Sequence, residues 1–271
     1  MIALLKILII ANVCLIDSAF GSRFGLAFGQ SASVAPAGVA QIAAETQYNS
    51  GNFATAATEL TSIIGADQDN DFVNGDVLYN LGNAEFKSGH IGPAIAAYAA
   101  AMQLMPRNPD VRANLQFAMT KVTDKLGIER ELTVVDRIFF WTPWFHPREQ
   151  LVAAEIFFIL FSLLFASLIW VKRQDLKMIC QWSSALGLIA WIVTAGGFAY
   201  TYVRFQPMGS VVSTTVDVFS APSREAGTKV FALNEGALCW LLESSGQWVS
   251  VELSDGKKGW VEASFVKFFL Q

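Results

Sequence analysis

Hydrophobic and polar positions divide the chain into three kinds of pattern. Two long apolar runs, 151–171 and 178–203, are separated by only six residues. About 20 apolar residues in a helix cross the hydrocarbon core of a bilayer, and a helix satisfies its backbone hydrogen bonds inside lipid. The two runs therefore predict a transmembrane helical hairpin. Helical periodicity precedes the hairpin over 38–126, and an alternation with a period of two follows it over 211–271.

The connection between the two apolar runs predicts the orientation of the hairpin. Residues 172–177 include Lys172, Arg173 and Lys177, and basic residues resist translocation across a membrane. The outer flanks carry the same number of basic residues at a much lower density: Arg137, Arg148 and Arg204. We therefore expect a cytoplasmic loop at 172–177, with both flanking segments on the outer side.

The N-terminal segment, 1–29, predicts export. Lys6 precedes an apolar stretch that ends in small residues, which is typical of a secretory signal peptide. Cleavage after residue 21 or after residue 29 would each follow a pair of small residues. An uncleaved anchor is the alternative. Export agrees with the predicted hairpin orientation, so we expect a bacterial inner-membrane protein with two spans and periplasmic flanking domains.

A further segment, 139–150, joins the periodic region to the first apolar run. Its tryptophans and prolines, beside a membrane span, are typical of a segment in the lipid headgroup layer: Trp141, Pro143, Trp144 and Pro147. We therefore predict that this segment lies at the membrane interface.

Composition supports the membrane prediction and excludes other classes. Apolar residues make up 53% of the chain and charged residues 15%, against about 25% charged residues in ordinary soluble domains. The net charge of −4 leaves no cationic face for a phosphate backbone, so we expect no nucleic-acid partner.

Catalytic and metal-binding chemistry is not expected. The two histidines, His90 and His146, have no serine, cysteine or metal-ligand partner nearby in the sequence, so we predict a non-enzymatic protein without cofactors. Asp67, Asp69 and Asp71 have the spacing that begins a calcium loop. The glycine and glutamate that such a loop requires are replaced by Phe72 and Leu78: a solvated acidic loop is therefore expected instead.

The periodic region contains an internal repeat. Asn114 and Leu115 recur 34 residues after Asn80 and Leu81. Small residues at crossing points, aromatic fillers and a helix stop recur at the spacing of a helix-turn-helix repeat: Gly82, Gly89, Ala94, Tyr98 and Pro106. The region 38–126 resembles tetratricopeptide repeats, with a degenerate earlier copy and a final helix at 110–126 acting as a cap. We expect five helices.

The tetratricopeptide resemblance implies a binding groove. The first helices of such arrays line a concave surface that takes up peptides or partner helices. By this resemblance Asn80, Asn83, Arg112 and Asn114 lie on or near that surface, where an asparagine amide could both donate to and accept from a peptide backbone. The alternative interpretation is that these residues are solvated or take part in helix packing.

The segment 211–271 predicts a small all-β barrel. Asp255-Gly256 marks a hairpin turn after the alternating stretch that begins at Trp248, and Leu233 to Gly236 mark another turn. These motifs, with Gly259-Trp260-Val261, resemble a bacterial SH3 domain. Relatives bind cell-wall peptides or protein partners. Trp248 and Trp260 are the candidate surface residues. The alternative is that both fill or edge the barrel core.

The order of the four parts resembles the BatE family of the bacterial aerotolerance (Bat) operon. The resemblance implies a multi-domain membrane protein with all-α repeats, a two-helix hairpin and an SH3-like barrel. It implies von Willebrand factor A-type Bat proteins and a MoxR-type ATPase system as partners, and a scaffold role in aerotolerance or envelope stress. The alternative function is a cell-wall sensor or anchor that uses the barrel on peptidoglycan peptides.

Overall fold

The computed structural model describes residues 34–68, 74–124, 126–128 and 133–270. The predicted signal segment and residues 69–73 of the acidic loop lie outside this part of the chain.

The described residues divide into two compact units. The hairpin unit is Val135–Phe205, and the repeat-sheet unit combines Ser31–Val134 with Gln206–Gln271. The segments predicted as separate repeat and barrel domains therefore belong to one compact unit, whose two parts lie on either side of the hairpin in the sequence. The structure confirms the prediction that the chain contains both helices and a β-sheet.

Five helices form the first part of the repeat-sheet unit, as the repeat pattern predicts. Each helix contacts the next one in the chain. Their bounds are α1 Val34–Asn49, α2 Phe53–Gln68, α3 Gly75–Lys87, α4 Ile91–Leu104 and α5 Pro109–Met119. The last helix ends seven residues before the predicted limit of 126, and its start is fixed by Asn108, whose side chain accepts hydrogen bonds from the Asp110 and Val111 N–H groups.

Close crossing of α3 and α4 depends on a glycine. A Cβ atom at Gly82 would lie 2.5 Å from the ring of Tyr98, so glycine at this position makes room for that ring between the two helices. Tyr98 itself is 2% exposed, and Ala94 beside it in α4 is fully buried. The small residues singled out in the sequence therefore determine how these helices pack.

Seven strands form one antiparallel sheet in the order β3-β2-β6-β5-β4-β1-β7. Their bounds are β1 Met208–Val211, β2 Thr215–Phe219, β3 Lys229–Asn234, β4 Leu238–Ser245, β5 Trp248–Glu252, β6 Lys258–Glu262 and β7 Val266–Phe268. Side chains from the two end strands, Leu233 and Val266, join the same buried cluster as Val251. The sheet therefore curls around a single core.

Both turns predicted in this region are present. Gly236 precedes β4 and Gly256 lies between β5 and β6, with φ values of 82° and 80°. Glycine adopts this left-handed conformation without the steric cost that a Cβ atom would impose. Strand β5 pairs with β6 in the expected hairpin.

The helices and the sheet share a second buried cluster. Helix α4 packs against β1 and β7. Ile95 and Tyr98 of α4 lie in this cluster with Trp240 and Leu238 of β4 and Met208 of β1. Apolar burial of this kind stabilises by about 25 cal/mol per Å², so the sheet covers a helical face that would otherwise be exposed to water.

Polar contacts fix the orientation of the sheet against the helices. The N-cap of α4, His90, makes no side-chain capping bond. Instead the Gly92 N–H donates to Oε1 of Glu235, 143 residues away, at 3.1 Å. Asp124 accepts from the backbone N–H and the side-chain amide of Asn234 at 2.7 and 2.9 Å. A carboxylate at a helix N-terminus is also favoured by the helix dipole.

The hairpin unit contains two helices that are long and apolar enough to span a membrane. They are α7 Pro147–Ser167 and α8 Gln174–Arg204, preceded by the short α6 Val134–Ile138. Both long helices begin four residues before the apolar runs that predicted them. Gly187 of α8 allows close approach to α7, since a Cβ there would lie 3.3 Å from the Cα of Phe161.

A capping box explains the early start of α7. The His146 side chain accepts from the Arg148 N–H, and Glu149 accepts from the His146 N–H. Burial lowers the pKa of His146, which favours the neutral ring that can accept a hydrogen bond. Polar capping residues thus belong to the helix although they are not part of the apolar run.

The predicted interfacial segment folds back on α8 inside the hairpin unit. A Cβ at Gly197 would lie 2.4 Å from the Trp141 ring. Gln150 is 2% exposed, donates to the carbonyls of Thr142 and Phe145, and accepts from the Thr201 hydroxyl. Within the segment 139–150, residues 147–150 form the first turn of α7.

Truncation of Trp240 tests the shared cluster. We expect Trp240→Ala to destabilise the repeat-sheet unit by about 3–5 kcal/mol, because a large buried ring is lost from the contact between helices and sheet. Hydrogen exchange read by mass spectrometry on the full chain in detergent should show reduced protection in both α4 and β4. The matched control is Val230→Ala, because Val230 is 54% exposed. Loss of protection confined to β4 would contradict a shared core.

Candidate protein-binding surfaces

A polar network joins α3, α4 and α5 at two of the predicted groove residues. Asn83 Oδ1 accepts from the Tyr98 hydroxyl at 2.8 Å and from Asn114 Nδ2 at 3.0 Å. Asn114 Nδ2 also donates to the Tyr79 hydroxyl at 3.1 Å. The structure therefore brings Asn83 and Asn114 together, and each takes part in helix packing.

One donor and one acceptor of the two asparagine side chains take no part in this network. Within the described part of the chain, the Asn83 Nδ2 donor and the Asn114 Oδ1 acceptor have no hydrogen-bond partner. Both side chains are half-buried. A peptide group has one acceptor and one donor, so this pair of groups matches the hydrogen bonds that a peptide backbone can make.

The other two predicted groove residues lie outside this network. Asn80 in α3 and Arg112 in α5 are both exposed. Asn80 lies three residues before Asn83, and Arg112 lies two residues before Asn114. Helix residues three apart lie on neighbouring positions of one face, which keeps Asn80 beside Asn83.

Electrostatics keep the Tyr98 hydroxyl protonated. Burial raises the pKa of Tyr98, and the neighbouring Tyr79 and Tyr48 raise it further. The rings of Tyr79 and Tyr98 lie 6.1 Å apart. A protonated phenol can donate to Asn83 at every physiological pH, so the orientation of the Asn83 amide does not change with pH.

A second surface lies on the outer face of the sheet. An open groove of about 210 Å³ is lined by aromatic and charged side chains of β2, the 220–228 loop, the ends of β5 and β6 and the 3-10 helix Ala263–Phe265: Asp217, Phe219, Arg224, Trp248, Glu262 and Phe265. The rings of Phe219 and Trp248 meet edge to face, with centroids 5.6 Å apart and an interplanar angle of 88°.

Strand alternation explains why these residues share a face. Val249, Val251 and Val261 point into the core, so their neighbours Trp248 and Trp260 point outward. Trp260 lies opposite Phe219 in the strand pairing, beside the groove. Both tryptophans are half-buried and neither belongs to the buried core cluster. These positions fit the alternative that both tryptophans edge the barrel core, and part of each ring remains accessible to a ligand.

Two ion pairs lie at the groove. Arg224 donates through Nε and Nη2 to Oε1 of Glu262, both at 2.7 Å. Lys229 Nζ lies 2.6 Å from Oδ1 of Asp217. These side chains are 27–64% exposed, so each pair contributes little to stability, in the range of about 0–1 kcal/mol.

The remaining reactive side chains have local structural contacts. His90 Nδ1 lies 2.8 Å from Glu85 Oε2. Cys239 is fully buried, and burial raises the pKa of its thiol to about 12. Across the described residues, no group of three or more His, Cys, Asp or Glu side chains is arranged to hold a metal ion.

Sequence reasoning missed Phe219, Arg224 and Phe265 as groove residues. The alternation of β2 could have identified Phe219, because Val216 and Val218 on the same strand face the core. Arg224 lies in an irregular loop and Phe265 in a short 3-10 helix, so no periodicity marks either residue.

Comparisons with known proteins identify no family for this chain. No family model matches the sequence, and no curated protein or solved structure matches it either.

Burial of Cys239 gives a direct test of the sheet core. Only the thiolate reacts with a maleimide, and a pKa near 12 leaves a very small thiolate fraction at pH 8. In a variant with Cys14 and Cys180 replaced by Ser, we expect labelling at pH 8 only after urea unfolds the protein. The same background with Ser244→Cys, at an exposed position of β4, should label at once. Rapid labelling of native Cys239 would contradict the buried position.

Proposed function

We propose that this chain is a non-enzymatic scaffold of the bacterial inner membrane. Its tetratricopeptide-like helices and SH3-like sheet form one protein-binding unit, held outside the cytoplasm by the two-span hairpin. The resemblance to the BatE family adds the partners: von Willebrand factor A-type Bat proteins, with a MoxR-type ATPase system. The assembled complex would serve aerotolerance or the response to envelope stress.

The observation that carries this proposal is the repeat-sheet unit. The chain leaves this unit at Val134 and returns to it at Gln206, with α7 and α8 between. A compact unit lies on one side of a bilayer, so an even number of crossings by the chain between its two parts is compatible with this unit. Two spans are consistent with this grouping, and the basic residues Lys172, Arg173 and Lys177 between and at the start of these helices support a cytoplasmic turn.

Fusion of the helices and the sheet supports a scaffold role. The asparagine pair of α3 and α5 and the aromatic groove of the sheet belong to one packed unit. Two binding surfaces on one unit raise the effective concentration for a second contact once the first has formed. Packing through Trp240 and the Glu235 cap removes the freedom that a flexible linker would leave between them.

The alternative function is a cell-wall sensor or anchor. The aromatic groove at Phe219 and Trp248 is the observation that favours it, because ligands of small barrels commonly bind on exposed aromatic surfaces. Retention of the protein on isolated sacculi, with loss of retention in Trp248→Ala or Trp260→Ala, would favour this function over the scaffold.

Thiol labelling in whole cells tests the orientation. In a background lacking the three native cysteines, a membrane-impermeant maleimide should label Ser244→Cys and Lys121→Cys in spheroplasts. Both positions are exposed in the repeat-sheet unit. Arg173→Cys should label only after the cells are lysed, because the proposal places residues 172–177 in the cytosol. Opposite labelling of positions 121 and 244 would refute the two-span topology.

A single-atom change tests the asparagine pair as a partner contact. Asn83→Asp keeps the oxygen that accepts from Tyr98 and Asn114, and replaces the free Nδ2 donor with a charged acceptor. A bound peptide carbonyl would then lose its donor and face a like partial charge. We expect co-purification of partners from native membranes to fall by about ten-fold, as for the loss of one buried hydrogen bond.

The matched control for this test is Gln116→Glu. Gln116 is exposed on α5, so the variant adds the same charge to a neighbouring helix without touching the network. Circular dichroism should show unchanged helix content in both variants. Undiminished partner recovery with Asn83→Asp would show that the asparagine pair serves helix packing alone.

A further inference from the structure

We propose that residues 138–145 form a re-entrant segment, which enters the acyl-chain layer of the outer leaflet beside α8 and returns before α7 begins. Lipid then covers the outward side chains of the segment. The proposal rests on the proposed function, because α7 and α8 must be membrane spans. It goes beyond the sequence prediction, which places 139–150 only in the headgroup layer. All of these residues belong to the hairpin unit.

Contacts with α8 give the depth of the segment along the hairpin. Gln150, in the first turn of α7, is level with Thr201, whose hydroxyl donates to Gln150 Oε1 at 3.1 Å. The ring of Trp141 packs on Gly197, where a Cβ atom would have no room. Gly197 lies seven residues before Arg204, the last residue of α8, which is about 10 Å along a helix. The chain therefore descends beside the apolar part of α8 before it returns to start α7.

One side of the segment is held against α8. The ring of Phe139 stacks on Tyr200, with centroids 4.8 Å apart. Just before the segment, Asp136 accepts from the Tyr200 hydroxyl, and its other oxygen lies 3.5 Å from Nη2 of Arg204. These contacts and the Trp141 ring fix the segment along the outer end of the helix.

The other side of the segment carries large apolar side chains. Ile138, Phe140 and Trp144 are 64%, 63% and 62% exposed. The rings of Phe140 and Trp144 meet edge to face, with centroids 6.3 Å apart. Ile156 and Ile159 of α7 are similarly exposed. The outward side of the segment therefore continues the apolar surface of the spans, so the occupant that fits it is the lipid that surrounds them.

The backbone of the turn is paired as lipid requires. Irregular backbone is tolerated at membrane depth only where its polar groups find partners inside the protein. The Thr142 N–H donates to the Phe139 carbonyl, and the Phe145 N–H donates to the Thr142 carbonyl. Gln150 is 2% exposed and donates to the carbonyls of Thr142 and Phe145 at 3.0 and 3.1 Å. Water would serve these carbonyls at the surface, whereas a buried glutamine serves them where water is excluded.

Spin-label depth measurements test the segment on the full chain in vesicles of phosphatidylethanolamine and phosphatidylglycerol. The background lacks the three native cysteines. A nitroxide at Phe140→Cys should collide more often with oxygen, which concentrates among acyl chains, than with a water-soluble nickel chelate. Its depth should be about 10 Å greater than that of a label at Val203→Cys, near the outer end of α8. Ile159→Cys is the reference for acyl chains and Ser244→Cys the reference for water.

A second comparison tests the part played by Gln150. Gln150→Leu keeps the approximate size of the side chain but leaves its two carbonyl partners without these donors. The label at Phe140→Cys should then move towards water, with nickel collisions raised on the order of ten-fold by the loss of buried hydrogen bonds. The matched control is Gln181→Leu, at an exposed glutamine of α8. A label at Ile159→Cys in both variants shows that the hairpin still inserts.

Three results would overturn the re-entrant segment. These are nickel collisions at Phe140→Cys as frequent as at Ser244→Cys, a depth equal to that of Val203→Cys, or no response to Gln150→Leu. Acyl-chain contact at Ile159→Cys combined with any of them removes only the re-entrant segment and leaves the membrane hairpin in place. Water contact at Ile159→Cys in the otherwise native chain would refute the membrane anchor of the proposed function as well.

Discussion

Contact between helix α4 and the sheet is the interaction on which the rest of the structure depends. Five helices of this kind make an array too short to bury both of its outer faces. The structure resolves this constraint within the chain: Trp240, Leu238 and Met208 cover Ile95 and Tyr98. A short stack of helices leaves an apolar face exposed unless another element covers it, and here a β-sheet covers that face.

Packing of the sheet on α4 connects the two candidate binding surfaces, the asparagine pair and the aromatic groove. Tyr98 contacts the sheet cluster through its ring and donates to Asn83 through its hydroxyl, so one side chain links the sheet to the asparagine pair. Glu235 caps α4 from the turn between β3 and β4, and β3 pairs with β2, whose outer face lines the groove. A change in the shared core would therefore disturb both surfaces together. Loss of binding in a variant of the shared core would therefore reflect loss of folded structure as well as loss of a contact with the partner.

Local patterns could be predicted from the sequence, and long-range contacts could not. Apolar length predicted α7 and α8, and alternation with glycine predicted the β5-β6 hairpin and the turn at Gly236. The early start of α7 was missed because the apolar run marks only the apolar residues of the helix, whereas the helix begins at polar capping residues.

The packing of the sheet against the helices could not be predicted for a related reason. Gly92 and Glu235 are 143 residues apart, and Asp124 and Asn234 are 110 apart. Neither contact produces a periodic pattern in the sequence. A glutamate in a turn looks solvated until the helix terminus beside it is known. The candidate site was predictable to the same extent: Asn83 and Asn114 followed from the repeat, and the donor and acceptor that they leave over became visible only with their partners in place.

In the proposed two-span topology, the order of the chain would make folding of the repeat-sheet unit depend on insertion of the hairpin. Helices α1 to α5 are synthesised first, and their face at Ile95 and Tyr98 has no cover until residues 206–270 follow. Those residues follow α7 and α8 in the chain, so in the proposed topology both spans would have to insert before the sheet could reach the compartment of the helices. A hairpin that crossed once would leave the helical face exposed on one side and the sheet on the other. Under the proposal, the buried cluster around Trp240 would form only after both spans have inserted, because its residues come from segments on both sides of the hairpin in the sequence.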